Sequence, residues 1–193
     1  MRIVIASNNK HKINEIKEVL PARISLISLE DIGIKGDIPE NEDSLEANAL
    51  AKARYVYKLS GLNVFADDTG LEVKCLGNRP GVHSARYAGE GRNSDDNMNL
   101  LLKEMSKCPD RSARFRTIIA LIFNKEEYIF EGIVNGKIAE QKSGSEGFGY
   151  DPLFIPDSYS LTFAEMSINK KNSISHRARA IRKLCTFLNK IEQ

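Results

Sequence analysis

Long apolar runs are absent from this sequence. The longest purely apolar segment, from Ile118 to Phe123, is far shorter than the roughly 18 residues that a membrane-spanning helix needs. Net charge is also small, because 28 lysines and arginines against 26 aspartates and glutamates leave only +2. The N-terminus turns polar at Ser7, too early for the apolar stretch of a signal peptide. We therefore expect neither a membrane anchor nor a nucleic-acid partner.

Cysteine is scarce as well. The three cysteines, Cys75, Cys108 and Cys185, are an odd number, lie far apart and lack the paired spacing of metal ligands. The sequence therefore predicts neither structural zinc nor a disulfide framework. A reducing cytoplasm is the predicted location.

Two common nucleotide and hydrolase signatures are missing. The sequence contains no Gly-x-x-x-x-Gly-Lys-Ser/Thr loop and no Gly-x-Ser-x-Gly elbow, which excludes a P-loop protein and a serine hydrolase of that type. What is present is ordinary globular composition: 193 residues, 41% hydrophobic and 28% charged, without repeats or linkers. We predict one domain over residues 1–193.

Hydrophobic periodicity predicts alternating strands and helices, followed by an antiparallel meander. The expected elements are a strand at 2–6, a helix that ends before Pro21, a strand at 24–29, an acidic loop at 30–43, a helix from Asp43 to Gly61, a strand at 63–66, a helix capped by Ser94, strands at 115–123 and 128–134, a tight turn at Asn135-Gly136 and a last helix from Ser175. This order favours a mixed α/β sheet with flanking helices.

The first candidate site lies between the first strand and the first helix. Its residues are Ser7, Asn8, Asn9, Lys10, His11 and Lys12. Free backbone N–H groups and the helix dipole make such a junction suitable for an anion, and the lysines suit a polyphosphate. A plain helix cap with solvated lysines is the alternative.

The second candidate site is the acidic run Asp67-Asp68-Thr69-Gly70 at a predicted strand end. Adjacent carboxylates repel each other unless a cation compensates, and carboxylate oxygens are the ligands that Mg²⁺ prefers. Glu40, in the acidic loop, could complete a metal site. A simple Asp-Thr-Gly turn is the alternative.

Two further segments carry nucleotide-binding features. In the segment 143–152, glycines permit close backbone approach, and Phe148 and Tyr150 offer flat rings for a base. The segment 170–177 places cations at a predicted helix start, where the dipole favours acids, and so suggests a bound anion. A flexible loop and a solvated basic face are the respective alternatives.

These segments together resemble the inosine triphosphate pyrophosphatase family, which hydrolyses non-canonical purine nucleoside triphosphates. Six motifs occur in the family's order along nearly the whole chain: Ser7-x-Asn9-x-x-Lys12, Asn48 to Ala53 with Lys52, Phe65 to Gly70, Pro80 to Tyr87, Gly147 to Pro152, and Ser175-His176-Arg177. The resemblance implies a nucleotide cleft between two lobes of an elongated sheet. It also implies a homodimer with contacts at residues 80–90, and Mg²⁺ as cofactor.

The resemblance also implies the site residues and the reaction. Water attacks the α-phosphorus of ITP, dITP or XTP and releases the monophosphate and pyrophosphate. Asp68 is the implied general base and metal ligand, and Glu40 is the second metal ligand, with Glu42 as the alternative. The implied substrate-binding residues are Ser7, Asn8, Asn9, Lys10, His11, Lys12, Lys52, Thr69, Phe148, Gly149, Tyr150, Asp151, Lys171, His176 and Arg177.

Two rival functions stay open at this point. One is a nonenzymatic nucleotide or RNA binder that uses the basic segment 170–183, although the carboxylates of Glu40, Asp67 and Asp68 would repel a phosphodiester backbone without a metal. The other is a pyrophosphatase that acts on modified pyrimidine triphosphates.

Overall fold

The computed structural model describes residues 1–36 and 38–191. In this part of the chain the helices are α1 (Lys10–Val19), α2 (Leu45–Ser60), α3 (Ser94–Glu104), α4 (Ile168–Ile174) and α5 (His176–Ile191). The strands are β1 (Arg2–Ile5), β2 (Ser25–Ile27), β3 (Val64–Val73), β4 (Arg79–Gly81), β5 (Ser112–Phe123), β6 (Glu126–Ile138) and β7 (Phe154–Pro156).

The strands form one mixed sheet in the order β2-β1-β3-β5-β6-β7, with β4 also paired to β3. β1 runs parallel to β2 and β3, whereas β4 is antiparallel to β3 and β7 is antiparallel to β6. The predicted mixed α/β class, with flanking helices and a meander, is confirmed. The predicted nucleotide cleft and the single domain stay predictions.

The chain forms two compact units, each assembled from separate segments. The first unit comprises Met1–Asp68, Thr117–Gly132 and the residues from Arg177 onward. Its core joins the parallel strands to α1 and α5 through buried apolar side chains, among them Ile3, Ile16, Phe65 and Leu184. Burial of side chains of this size contributes about 1.5–3 kcal/mol each.

The second unit comprises Thr69–Arg116 and Ile133–His176. Its core is aromatic: the Phe115 ring lies 4.7 Å from the Phe154 ring and 6.1 Å from the Phe163 ring, centroid to centroid. Met98 and Leu101 of α3 pack into the same cluster. The i, i+3 spacing of these apolar residues in the sequence predicts that both face inward, and the structure confirms it.

Apolar spacing in the sequence also predicts the inner faces of α2 (Leu45, Ala49, Ala53, Val56) and α5 (Ala178, Ile181, Leu184, Leu188, Ile191), and the structure largely confirms them. In α2 the buried positions are Leu45, Ala49, Ala53 and Val56, and the helix ends at Gly61, which adopts a left-handed φ of 67°. In α5 the prediction is wrong only for Ile191, which is 41% exposed at the end of the helix. No helix in the described ranges is long and apolar enough to cross a membrane.

The acidic run lies inside a strand and not after one. β3 continues through Asp67 and Asp68 to Val73, well past the predicted end at residue 66. The sequence prediction stopped there because two adjacent acids normally disfavour a buried strand. Helix starts also differ slightly: Ser44 caps α2 in place of Asp43, and Asn93 caps α3 in place of Ser94.

The predicted turn at Asn135-Gly136 is wrong, because both residues lie within β6. The tight turn is Asn124-Lys125, whose positive φ angles of 51° and 74° suit a two-residue hairpin. Gly136 serves a different purpose, since a Cβ there would lie 2.3 Å from the backbone oxygen of Ile155. The glycine therefore permits close approach of β7.

A disulfide joins Cys75 and Cys108, so the prediction that the chain has no disulfide framework is wrong for this pair. They lie 33 residues apart in sequence, but both follow elements of the second unit, β3 and α3, and their Cα atoms are 6.1 Å apart. Sequence spacing gave no sign of this proximity. Cys185 is free.

Reduction of the oxidised protein should lower its free energy of unfolding by about 3–4 kcal/mol, because the bridge closes a long loop in the unfolded chain. Urea unfolding with and without a thiol reductant measures this difference. The double variant Cys75→Ser/Cys108→Ser should show no response to reductant, whereas Cys185→Ser should respond like the parent protein. An equal response in the double variant would contradict a stabilising bridge.

Candidate active site

The predicted phosphate loop folds as a capped helix start. Ser7 Oγ accepts a hydrogen bond from the Asn9 N–H, and Asn9 Oδ1 accepts one from the Lys12 N–H, both at 3.2 Å. Asn9 is thereby the N-cap of α1, and the neighbouring Lys10 and His11 are exposed. Asn8 donates to the Gly36 carbonyl oxygen at 2.8 Å. The plain cap is therefore present, and the positive end of the helix dipole lies beside Lys10, His11 and Lys12.

Asp67 is buried among cations. Lys12 Nζ lies 3.3 Å from Asp67 Oδ1, and Arg177 Nε lies 3.1 Å from Oδ2. Burial alone would raise the pKa of Asp67, but the charges of Lys12, Arg177 and Lys52 outweigh it and hold the pKa well below its ordinary value. Asp67 is therefore a permanently ionised anchor for two site residues.

Asp68, the next residue of β3, has the opposite electrostatic character. Burial raises its pKa and outweighs the lowering effect of Lys52 and Lys12, while Glu40 and Asp67 raise it further. Oδ1 lies 3.2 Å from Lys52 Nζ, and Oδ2 makes no hydrogen bond within the described chain. Two adjacent acids thus have separated pKa values, a feature typical of catalytic carboxylates.

Lys52 connects the acidic loop to β3. Its ammonium lies 2.6 Å from Glu40 Oε1 and 2.7 Å from the Asp67 carbonyl oxygen, besides its contact with Asp68. Burial would lower the pKa of Lys52, but the surrounding carboxylates raise it, so the side chain is charged. The structure thus brings Glu40 to this cluster, whereas the backbone N–H of Glu42 donates to Asn48 Oδ1.

Glu40 and Asp68 fit a magnesium site in which phosphate completes the coordination. Mg²⁺ usually takes one or two protein carboxylates, and its other ligands are water and phosphate oxygens. The buried Oδ2 of Asp68 is an oxygen without a donor. No cluster of three or more acidic, histidine or cysteine side chains suited to a metal occurs in the described ranges, so an all-protein cage is not the fitting arrangement there.

Glu15 is a site residue that sequence reasoning missed. Its carboxylate accepts a hydrogen bond from Arg177 Nη1, and both side chains are almost fully buried. Arg177 therefore lies between two carboxylates, Glu15 of α1 and Asp67 of β3. The sequence carries no signal for Glu15, because position 15 lies about 100° around the helix from Ile16 and outside the apolar stripe.

The predicted base-binding loop lies in the second unit and is organised by Asp151. Its Oδ2 accepts the Phe148 N–H at 2.8 Å and lies 2.5 Å from Lys171 Nζ. Lys171 also lies over the Phe148 ring, 5.2 Å from its centroid. Gly147, with a φ of 76°, leaves room for this carboxylate, because a Cβ there would lie 2.1 Å from Oδ2.

Two other predicted site residues of the second unit, Tyr150 and His176, pack against its core. Tyr150 is 5% exposed, and its hydroxyl donates to the Ser84 carbonyl oxygen at 3.0 Å, so its ring is part of the core. His176 stacks on Phe115 with 4.5 Å between ring centroids. Lys171 was predicted to lie in a segment leading into the last helix. It lies instead inside α4, a separate helix that the sequence did not predict. Thr69 lies in β3 and Gly149 in the loop, where its φ is 64°.

Sequence comparison adds a family to this geometry. The Ham1 family model matches residues 3–187. The chain is 52% identical over 188 residues to a dITP/XTP pyrophosphatase of Flavobacterium johnsoniae, covering 97% of this chain and 98% of that protein. It is also 52% identical to the dITP/XTP pyrophosphatase of Porphyromonas gingivalis, covering 97% of each.

Solved structures give the same result. The Ham1 protein of Staphylococcus aureus superposes with a TM-score of 0.90 at 39% identity, over 98% of this chain and 99% of that one. A protein of Mycobacterium abscessus, described as a nucleoside-triphosphatase and dITP/XTP pyrophosphatase, gives a TM-score of 0.79 at 41% identity, over 95% and 98% of the two chains.

Proposed function

Because this chain belongs to the Ham1 family, we propose that it is an enzyme that hydrolyses ITP, dITP and XTP to the monophosphate and pyrophosphate. The observation that carries the proposal is the match of the Ham1 family model over residues 3–187. Two relatives that are 52% identical to this chain, both named dITP/XTP pyrophosphatase, support it. The resemblance drawn from the six motifs is thereby confirmed. Removal of such nucleotides prevents their incorporation into nucleic acid.

The first unit supplies groups for the triphosphate in this proposal. The N-terminus of α1, with Ser7 to Lys12, offers backbone donors and positive charge to phosphate oxygens. Lys12 and Lys52 lie beside the paired acids of β3 and add two ammonium groups. Backbone donors and ammonium groups near the phosphates stabilise the charge that develops as the bond to pyrophosphate breaks.

Asp68 is the proposed centre of the chemistry. Its raised pKa and its neighbouring Lys52 suit a carboxylate that takes a proton from water as the water attacks the α-phosphorus. General-base catalysis of this kind contributes on the order of 10²–10⁴-fold. Magnesium, held by Glu40 and Asp68, would neutralise phosphate charge and polarise a phosphoryl oxygen. Asp67 stays ionised and holds Lys12 and Arg177 in place.

The second unit and Arg177 supply groups for the base. Phe148 would stack on the purine ring, and Asp151 with Lys171 fixes the loop that carries it. We assign the reading of the 6-keto oxygen to His176, together with donors of Arg177 other than the Nε and Nη1 that serve Asp67 and Glu15. A site built to donate there leaves buried donors facing the 6-amino group of adenine, which costs about 1–3 kcal/mol for each mismatched group.

The resemblance implies a homodimer, and we propose that assembly here. The small net charge and the lack of long apolar runs support our proposal that the enzyme has no nucleic-acid or membrane partner. We also propose a cytoplasmic location, where a reducing environment would keep Cys75 and Cys108 as thiols. A basic-segment RNA binder is disfavoured, because Asp67 and Asp68 lie in the cluster that would face phosphate.

A panel of nucleoside triphosphates tests the function. Pyrophosphate release is measured for ITP, dITP, XTP, ATP and modified pyrimidine triphosphates, with Mg²⁺ and with a chelator. We expect kcat/KM for the three 6-keto substrates to exceed that for ATP by at least about 10³-fold, because several mismatched hydrogen bonds add. A preference for pyrimidine triphosphates, or release of phosphate in place of pyrophosphate, would contradict the proposal.

A further inference from the structure

The ammonium of Lys52 is itself bound like a cation in a metal site. Its three acceptors are Glu40 Oε1 at 2.6 Å, the Asp67 carbonyl oxygen at 2.7 Å and Asp68 Oδ1 at 3.2 Å. A lysine ammonium has three N–H donors, so these oxygens use all of them. Only 5% of the side chain is exposed.

Glu40 and Asp68 are the same two carboxylates that fit a divalent ion. An ammonium between them repels a second cation at short range, and burial leaves little water to screen that repulsion. The two cations therefore compete for one pair of carboxylates. Asp68 Oδ2 is buried and has no hydrogen-bond donor in the described chain. This oxygen can therefore accept an incoming metal ion.

We propose that Lys52 is an internal competitor of the divalent ion, which keeps the Glu40–Asp68 pair from loading metal before nucleotide binds. A triphosphate offers Lys52 alternative oxygens, and the flexible four-carbon stem of lysine lets the ammonium move to them. Metal loading thereby becomes coupled to nucleotide binding. This inference rests on the proposed function for the identity of the nucleotide, but the competition itself is a property of the chain.

The competition explains how Lys52 can contact both phosphate and carboxylates. The family resemblance assigns Lys52 to phosphate, whereas the structure places its ammonium on carboxylates. If the two positions alternate, both assignments hold, each in its own ligand state. Lys52 is then a positioning residue that sets the order of binding.

Metal affinity in the absence of nucleotide tests this directly. We expect Lys52→Met to bind Mn²⁺ alone at least tenfold more tightly than the parent protein, measured by calorimetry and by the EPR signal of free Mn²⁺. Lys58→Met, an exposed position on the same helix, should leave Mn²⁺ affinity unchanged. Lys52→Gln provides a second neutral variant should methionine disturb folding, which circular dichroism monitors.

A second control separates direct competition for the two carboxylates from the general effect of removing a nearby positive charge. Lys12→Met removes a charge that contacts Asp67 and not the Glu40–Asp68 pair, so its effect on Mn²⁺ affinity should be clearly smaller. Equal tightening in Lys12→Met, or unchanged or weaker Mn²⁺ binding in both Lys52 variants, would overturn the proposal.

Coupling to nucleotide completes the test. A non-hydrolysable ITP analogue should tighten Mn²⁺ binding to the parent protein more than to Lys52→Met. Failure of this inference is distinct from failure of the proposed function, because the parent protein can release pyrophosphate from ITP whatever Mn²⁺ does in the variants. Conversely, a Lys52 effect on Mn²⁺ in a protein inactive on ITP would leave the competition standing and remove the assigned substrate.

Discussion

Asp68→Asn should reduce pyrophosphate release from ITP by at least about 10²–10⁴-fold, because asparagine can neither accept the proton of the attacking water nor supply a carboxylate to a metal. The loss should appear in kcat, since the variant retains Lys12 and the N-terminus of α1 for phosphate binding. Steady-state assays over a range of ITP concentrations separate kcat from KM.

The same variant should remain folded. Burial raises the pKa of Asp68 in the folded protein above its ordinary value of 3.8, so ionised Asp68 disfavours the folded state at pH values above that range. Asparagine removes this charge, and at neutral pH the melting temperature of Asp68→Asn should be equal to or higher than that of the parent. The difference should vanish as the pH falls below about 3.8, where the parent is protonated in both states.

Asp157→Asn, at an exposed position, is the matched control and should change neither activity nor stability. Near-parental turnover by Asp68→Asn would remove Asp68 from the chemistry. Loss of activity with a lowered melting temperature at neutral pH would instead assign it a structural role.

Periodicity and turn chemistry predicted the elements that obey local rules. The helices α1, α2, α3 and α5 and the mixed sheet follow from apolar spacing and glycine or proline stops. What local rules could not predict depends on contacts distant in sequence. β3 extends through two acids because cations from other elements surround them, and Gly136 lies in a strand because β7 packs against it.

The candidate site shows the same division. Asp68, Lys52 and Glu40 were predicted from motif and family, and the structure brings them together. Glu15 was not predicted, because its buried carboxylate is explained only by Arg177, which is 162 residues away in sequence. Tyr150 was predicted to offer a ring to a base, but its hydroxyl finds a backbone acceptor that places the ring in the core.

Arg177→Ala should be the most destabilising single change in the site, at about 3–5 kcal/mol, because it leaves Glu15 and Asp67 buried without their shared cation. For a chain of this size that loss lowers the melting temperature by roughly 6–20 °C. Lys183→Ala, which removes an exposed cation from the same helix, should change stability little.

The pH dependence of this loss identifies its cause. The pKa of Asp67 in the folded parent is far below its ordinary value of 3.8, since the charges of Lys12, Arg177 and Lys52 outweigh burial. Its pairing therefore stabilises the fold at pH values above 3.8 and less as the pH falls below it. The stability difference between parent and Arg177→Ala should thus be largest at neutral pH and shrink in acid. Urea unfolding at pH 7 and at pH 3.5 measures both. A stability difference that does not change with pH would mean that Arg177 contributes through packing alone. The double variant Glu15→Gln/Arg177→Met removes one of the two carboxylates together with the arginine. Recovery of much of the lost stability in this variant would confirm the unpaired charge as the cause.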